Sequence, residues 1–361
     1  MNDLSRSKTL TSEFAASLFG LLATGNYISG PKVAEFSKVF AQTFNLGLVT
    51  GLANGTSALT IALKSLLLPK GSHVIIAANA GGYGRVAIEA VNLKAIYVDV
   101  NELGLLDIDT ISRTDLTEVR AVIVTHLYGQ LCEMESIKDF CKRKNIFLIE
   151  DCAQAVGAKA NGNYAGSWGD LSTFSFYPTK NLGAMGDAGA IATKSSDLDQ
   201  RIKMLSQYGW GKKYFSEIPN GENSRMDEIQ AMVLLERLPY LAALNSRRRE
   251  IWQRYSSCLD KPFRILGENS ESFVAHLAII DAGDKRQQFR DFLHERQIET
   301  SIHYPMPDYS QGAFLDSGQS LPKTKSLCDS IFTVPLFPEL REDEIQYICD
   351  AISDFQLQIS N

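Results

Sequence analysis

Two residues of this chain invite a chemical reading, Lys180 and Asp151, each lying just beyond or at the end of an apolar run. Leu171 to Tyr177 reads as a strand, and Lys180 follows it, with Gly183, Gly186 and Gly189 close behind. A lysine that leaves a strand end can reach into a cleft, and glycines beside it let backbone approach a ligand closely. If burial or a neighbouring charge lowers its pKa, the amine can form a Schiff base. The plain alternative is a surface lysine in a turn. Upstream, Ile146 to Ile149 reads as a buried strand running into Glu150-Asp151, with Gln154 soon after. A carboxylate there is costly unless a positive group meets it. Taken alone, Asp151 also fits a helix N-cap or a surface ion pair.

A third stretch adds a place for an anion. Leu46 to Ala53 reads as a strand, Asn54-Gly55-Thr56-Ser57 as a turn of capping residues, and Ala58 to Leu68 as an amphipathic helix. A helix that starts on such a turn aims amides and dipole at one point. The spacing is not that of a Walker loop. A lysine for an aldehyde, an acid for a pyridinium nitrogen and a cradle for a phosphate are what pyridoxal phosphate (PLP) asks of a protein.

The elements that must position these residues alternate. Strands are expected at His73 to Ala78, Ala95 to Val100, Ala121 to Thr125 and Gly189 to Thr193, with helices at Glu133 to Lys144 and Asp197 to Gln207. Such alternation predicts an α/β sheet. His126 and Tyr128 follow a strand, where α/β proteins place ligands, and His126 fits either a cofactor contact or a structural role. Leu10 to Leu22 reads as a short helix, Tyr208 to Asn220 as a loop, Arg225 to about Leu244 as a helix, Phe273 to Ile280 as a strand carrying His276, and Arg341 to Phe355 as a closing helix.

In order along the chain, GNYISGPKVAEF, GLANGTSAL, THLYGQ, IEDCAQAVGA, SFYPTKNLGAMGDAGA, GENSRMDEIQA and IHYPMP resemble the DegT/StrS-type sugar aminotransferases, PLP enzymes of fold type I. The resemblance covers nearly the whole chain. It implies a large PLP-binding domain, 1–245, with a mostly parallel mixed sheet flanked by helices, and a smaller C-terminal α/β domain, 246–361. It implies Lys180 as the Schiff-base lysine, Asp151 at the ring nitrogen and Gln154 near the ring. Thr56, Ser57 and Ser175 would hold the phosphate. Asn223, which also fits an N-cap, would meet the phosphate of the other subunit in a homodimer. Family members usually carry a threonine and an aromatic ring where this chain has Ala80 and Gly81, so Tyr83 becomes the candidate ring, with packing against the core as its alternative. Tyr177, Lys213, His303, Tyr304 and Tyr309 are the implied substrate contacts. The implied reaction moves nitrogen from glutamate to a nucleotide-linked keto sugar. MPDY at Met306 to Tyr309 and NAGGYG at Asn79 to Gly84 resemble the subgroup acting on dTDP-linked 3-keto-6-deoxy sugars, with a 4-keto sugar as the rival. Lys180 argues against the family's dehydratase branch, which has histidine there. A non-catalytic PLP or sugar-nucleotide sensor is the alternative of another class. Synthesis of a surface polysaccharide such as O-antigen, or of a glycosylated metabolite, is the implied setting.

Composition narrows the partners. The 361 residues carry a formal net charge of −6, which argues against a nucleic-acid surface or an anionic membrane face. The six cysteines are scattered without a CxxC pair, so neither a zinc site nor a disulfide framework is expected. No apolar h-region or bilayer-length apolar run is read, and a reducing cytoplasm is the expected setting.

Overall fold

The computed structural model describes residues 3–7, 12–314, 318 and 320–360. In chain order the strands are β1 (Leu48–Leu52), β2 (His73–Ala77), β3 (Lys94–Val98), β4 (Val119–Thr125), β5 (Phe147–Asp151), β6 (Lys159–Ala160), β7 (Asn163–Tyr164), β8 (Leu171–Ser175), β9 (Gly189–Thr193), β10 (Trp210–Lys212), β11 (Phe215–Ser216), β12 (Arg264–Leu266), β13 (Ala278–Asp281) and β14 (Ile331–Val334). The helices are α1 (Ser12–Thr24), α2 (Pro31–Phe44), α3 (Gly55–Ser65), α4 (Tyr83–Ala90), α5 (Ile108–Ser112), α6 (Met134–Lys144), α7 (Ser196–Leu205), α8 (Glu228–Arg237), α9 (Leu241–Ser257), α10 (Arg286–Glu295), α11 (Pro322–Ser330) and α12 (Glu342–Ser360).

Seven strands form one sheet in the order β1-β9-β8-β5-β4-β2-β3. Every neighbouring pair is parallel except the two that β9 makes. The sequences explain this. β2 (HVIIA) and β4 (VRAVIVT) are near-continuous apolar runs of the kind that must be covered on both faces. On one face Phe36 and Phe40 of α2 meet Phe174 and Phe176 edge-on. On the other, Leu59 and Ile61 of α3 pack with Ile76, Ile123 and Ile149. From β2 the chain passes outward to β3 and then returns to the far side of β2 as β4. The carboxyl ends of β2 and β4 therefore flank a switch point, the position where open α/β sheets leave a crevice.

A second apolar core surrounds the antiparallel sheet β12-β13-β14, built from Tyr255, Phe263, Phe289, Phe332 and Phe355. Its start does not coincide with a linker. The expected boundary at 245/246 falls inside α9, whose Leu241 packs in the large core and whose Ile251, Trp252 and Tyr255 pack in the small one. Residues 3–7, expected with the large domain, also lie against the small unit: Arg6 donates to both oxygens of Glu344 (3.1 and 2.9 Å) and to the Glu339 carbonyl (2.6 Å).

Three expected elements differ. The helix expected from Arg225 to Leu244 is interrupted by a 3-10 turn, Leu238–Tyr240, that carries Pro239, a residue without an amide to continue the ladder. Tyr208 to Asn220 contains the small hairpin β10-β11. Only the end of the expected strand Phe273 to Ile280 belongs to β13. Residues before it leave the sheet, with the Val274 amide bonded to the Gly129 carbonyl (2.9 Å) and that of His276 to the Tyr128 carbonyl (3.1 Å). Leu10, expected to begin the first helix, lies outside the described residues.

Candidate active site

The anion cradle forms where β1 meets α3. Asn54 caps the helix, its Oδ1 accepting from the Ser57 amide (2.8 Å) and its carbonyl from the Ala58 amide (3.1 Å). The amides of Gly55 and Thr56 precede these and have no intrahelical acceptor, so they are left for a ligand. Glycine is required at Gly55 because a Cβ there would stand 2.7 Å from the Ser175 Cβ, and at Gly189 because one would stand 2.4 Å from the Asn54 carbonyl carbon. The ends of β8 and β9 thus close on the start of α3 and bring Ser175 to Thr56 and Ser57. Close backbone, hydroxyls and a helix N-terminus suit a phosphate, so this half of the site fits PLP.

Lys180 is set by a turn beyond β8, its amide donating to the Tyr177 carbonyl (2.8 Å). Among the described residues its Nζ has no hydrogen-bond or ion-pair partner. Burial lowers its pKa, and Asp151 partly opposes that shift. Asp151 is the last residue of β5, on the same strand face as Ile149, whose side chain packs in the α3-side core. Its Oδ1 accepts from the Ala153 amide (3.1 Å) and its Oδ2 from the Thr125 hydroxyl (3.2 Å). Burial raises its pKa, with the Ala153 amide, Lys180 and Thr125 pulling the other way. An acid short of donors beside an amine short of acceptors is a pair awaiting a third group. A protonated pyridine nitrogen meets the first need and an aldehyde the second, so this half also fits PLP.

Gln154 is buried and bonded at both ends of its amide. Its Oε1 accepts from the Tyr128 amide (2.6 Å) and its Nε2 donates to the Tyr304 hydroxyl (3.0 Å). Tyr304 lies so close over Gly81 that a Cβ at Gly81 would come within 2.4 Å of its ring. The space above Gly81 is therefore taken by a ring from the far end of the chain. Tyr83, the ring expected there, begins α4 with half its surface exposed, beside Tyr304 rather than on the core side of the helix. Tyr309, expected at the substrate, points inward: it packs edge-on to Tyr97 at 6.0 Å within the α3-side core. Its apolar ring belongs there because its segment docks on the end of β2, with the Asp308 amide bonded to the Ala78 carbonyl (2.7 Å).

His303 lines a cavity of about 190 Å³ with Thr179, His276 and Thr333. Its Nδ1 pairs with the Thr333 hydroxyl (3.1 Å), and His276 Nδ1 pairs with Asn181 Oδ1 (2.9 Å). Burial, then the charge of Lys180, pushes both imidazoles toward the neutral form. Tyr177 and Lys213 are exposed, the latter with its ammonium over the Tyr214 ring. Asn223 is exposed too. It is not an N-cap, since α8 begins only at Glu228; its Oδ1 accepts from Arg225 Nε (2.9 Å). His126 takes the structural role, with Nδ1 accepting from the Cys132 amide (3.3 Å) and Nε2 bonded to Glu150 (3.1 Å). Thr125 and His276 were missed as site residues in the sequence. The parallel register that sets Thr125 beside Asp151 is a signal that could have found the first.

Comparison with known proteins agrees with this geometry. The model of the DegT/DnrJ/EryC1/StrS aminotransferase family matches residues 8–353. The chain is 36% identical over 340 residues, 93% of each protein, to the dTDP-3-amino-3,6-dideoxy-alpha-D-galactopyranose transaminase of Aneurinibacillus thermoaerophilus. The structure of S. venezuelae DesV in complex with a ketimine intermediate superposes with a TM-score of 0.93 at 31% identity, covering 98% of this chain and 97% of that one. That of ntda from Bacillus subtilis, with bound cofactor PMP, gives 0.89 at 28% identity, covering 97% and 83%.

Proposed function

The chain belongs to the DegT/DnrJ/EryC1/StrS aminotransferase family, a premise from which we propose that it carries an amino group from glutamate to the keto carbon of a dTDP-linked 3-keto-6-deoxyhexose. It is a PLP-dependent transaminase of nucleotide-linked keto sugars. The 3-keto position and the dTDP carrier are supported by the dTDP-linked 3-amino sugar named for the Aneurinibacillus relative. The observation that carries the catalytic reading is the buried Lys180 amine, unpartnered among the described residues, whose charge acts on Asp151.

Bound PLP supplies an aldehyde to take up nitrogen and a ring to withdraw electrons from the carbon being deprotonated. The chain's own residues do the rest. Thr56, Ser57, Ser175 and the Gly55 and Thr56 amides hold the phosphate end. Asp151 keeps a proton on the ring nitrogen. Lys180, its amine made less basic by burial, would hold the aldehyde end and, as a free amine, would take the proton from the donor α-carbon. In the second half-reaction it would return a proton to the sugar carbon that gains nitrogen. Gln154 holds Tyr304 beside the cleft, and His303 and Tyr304 contact the sugar.

The working unit in this reading is a homodimer. Asn223 is exposed, as a residue serving the other subunit's phosphate must be. Phe19, Leu22, Tyr27 and Ile28 in and after α1 are exposed apolar side chains that a second copy would cover. Among the described residues no helix is long and apolar enough to cross a membrane.

The test is purified protein with PLP, glutamate and a panel of dTDP- and UDP-linked 3-keto and 4-keto sugars, with product read by mass. Amination of a 3-keto dTDP sugar supports the proposal. Amination of 4-keto sugars alone replaces the substrate and keeps the enzyme. A visible spectrum that does not respond to glutamate removes the proposed donor.

A further inference from the structure

Tyr304 is held in an unfavourable way. Its φ of +63° lies in the left-handed region, which a tyrosine enters only when its flanks are fixed. Four residues on, Asp308 supplies such a fixing point. Its side chain is 99% buried, its amide bonds the Ala78 carbonyl at the end of β2 (2.7 Å), and Gln311 Nε2 donates to its Oδ1 (3.3 Å). Across from the carboxylate is the Gly81-Gly82 turn, with φ of +76° and +79°, at the N-terminus of α4. The amides of this turn stand at the N-terminal end of α4, where negative charge is stabilised. The Gly82 and Gly81 amides both stabilise the charged form of Asp308.

We propose that Asp308 is a positioning residue for the sugar half of the reaction: its carboxylate, buried against the Gly81-Gly82 turn and held by Gln311, anchors its segment at the end of β2 and thereby fixes Tyr304 between Gly81 and Gln154. This deepens the reading above and rests on it. The same two glycines serve both ends of the device, since Gly81 leaves room for the Tyr304 ring and presents an amide to Asp308. Asp308 touches neither Lys180 nor Asp151, so the glutamate half-reaction does not depend on it.

Burial pushes the Asp308 carboxyl up to about 7, against the pull of Gly82 and Gly81. The other titratable groups around it are Tyr97 on β3, Tyr304 on its own segment and Cys328 on α11, all raised by burial, the thiol to about 12. On α4, Arg85 and Glu89 pair with each other. Asp308 is therefore the group here that changes charge near neutrality, and its seat is strongest above pH 7.

The experiment compares Asp308→Asn, which keeps shape and loses charge, with wild type. At pH 8 the KM for the keto sugar should rise about tenfold, within the range that a misplaced contact produces. The rate of the spectral change on adding glutamate should stay within about twofold. Below pH 6 the two proteins should converge, because wild-type Asp308 is then protonated. Asp308→Ala placed in a Tyr304→Ala background should add nothing further to the sugar KM. A wild-type sugar KM in Asp308→Asn at pH 8, a parallel fall in the glutamate step, or independent effects of the two alanine changes would each overturn the assignment. If wild-type protein reacts with glutamate and aminates no keto sugar, the functional reading fails and takes the sugar-side role with it. Normal wild-type amination with an indifferent variant sinks Asp308 alone.

Discussion

Glu150 and Asp151 are neighbours on β5, both carboxylates in the interior, and the two faces of the strand treat them oppositely. Glu150 faces the α2 side and is fully buried. It accepts from His126 Nε2 (3.1 Å) and from the amides of Gly166 (2.9 Å), Trp168 (2.8 Å) and Gly169 (2.6 Å). Burial works to raise its pKa, but His126 and the amides outweigh it, and the net shift is downward. Asp151 faces the cleft with two weaker donors, and its net shift is upward. One carboxylate has all its partners in the fold, while its neighbour keeps capacity that only a ligand fills. Unfilled hydrogen-bond capacity, more than burial, separates a group that holds structure from one left able to meet a ligand.

Removing the partner of the unsatisfied acid should do the most. Lys180→Ala is expected to lower amino transfer by at least about a thousandfold and abolish the visible absorbance of bound cofactor, with thermal unfolding near that of wild type. Asp151→Asn should cost about a hundredfold or more in turnover and weaken PLP binding, again with the fold intact. Glu150→Gln reverses the pattern. An amide cannot accept from every donor that faces it, so stability should fall by about 3 kcal/mol while turnover per folded molecule stays close to wild type. Kinetics and urea unfolding on the same three preparations decide the matter, and a catalytic loss in Glu150→Gln as large as in Asp151→Asn would break the comparison.

The same contrast has a pH signature in cofactor-free protein. A depressed carboxyl contributes stability above its unfolded pKa and loses it as pH falls through the folded value. Glu150 should therefore give an acid-side loss that Glu150→Gln lacks. A raised carboxyl contributes fully below its unfolded pKa and loses that contribution as pH rises through the folded one. Asp151 should thus erode stability between its ordinary pKa and its raised one, and Asp151→Asn should flatten that limb. Unfolding free energies measured across the acid range, without PLP, read both slopes.

Much of this face was legible in the sequence because strand ends and turns are local. LIED, SFYPTK and ANGTS each place their polar residues within a few positions of a strand's last residue, and the parallel sheet then aligns those ends. What the sequence hid depends on contacts between distant segments. Gly81 directed attention to Tyr83 for a nearby ring, whereas the ring over Gly81 is that of Tyr304. The family resemblance implies Tyr309 as a substrate contact, but the short 3-10 turn Asp308–Ser310 rotates it into the core. Local pattern does not set such a rotation; docking on β2 does. Glu150 reads only as the residue before Asp151, because three of its donors, the amides of Gly166, Trp168 and Gly169, come from the turn after β7, which has no periodicity to announce it.

The finest test of the comparison changes one hydroxyl. Thr125→Val keeps the β-branched shape that suits the end of β4 and removes the donor to Asp151 Oδ2. The lost donor raises the Asp151 pKa further, which favours the neutral acid and weakens its hold on a protonated ring nitrogen. A hydrogen bond of this kind contributes about 1 kcal/mol, so PLP affinity should fall about fivefold. Turnover at saturating PLP should fall by less, since a protonated nitrogen supplies the charge that Thr125 helped to stabilise. The matching change on the other face is Ser172→Ala, which removes a hydroxyl lying 3.3 Å from Glu150 and donating to the Gly166 carbonyl (2.7 Å). It should cost about 1 kcal/mol of stability and leave PLP affinity unchanged. Equal PLP affinities for the two variants would show that the two faces of β5 are not distinguished in the way their hydrogen bonds imply.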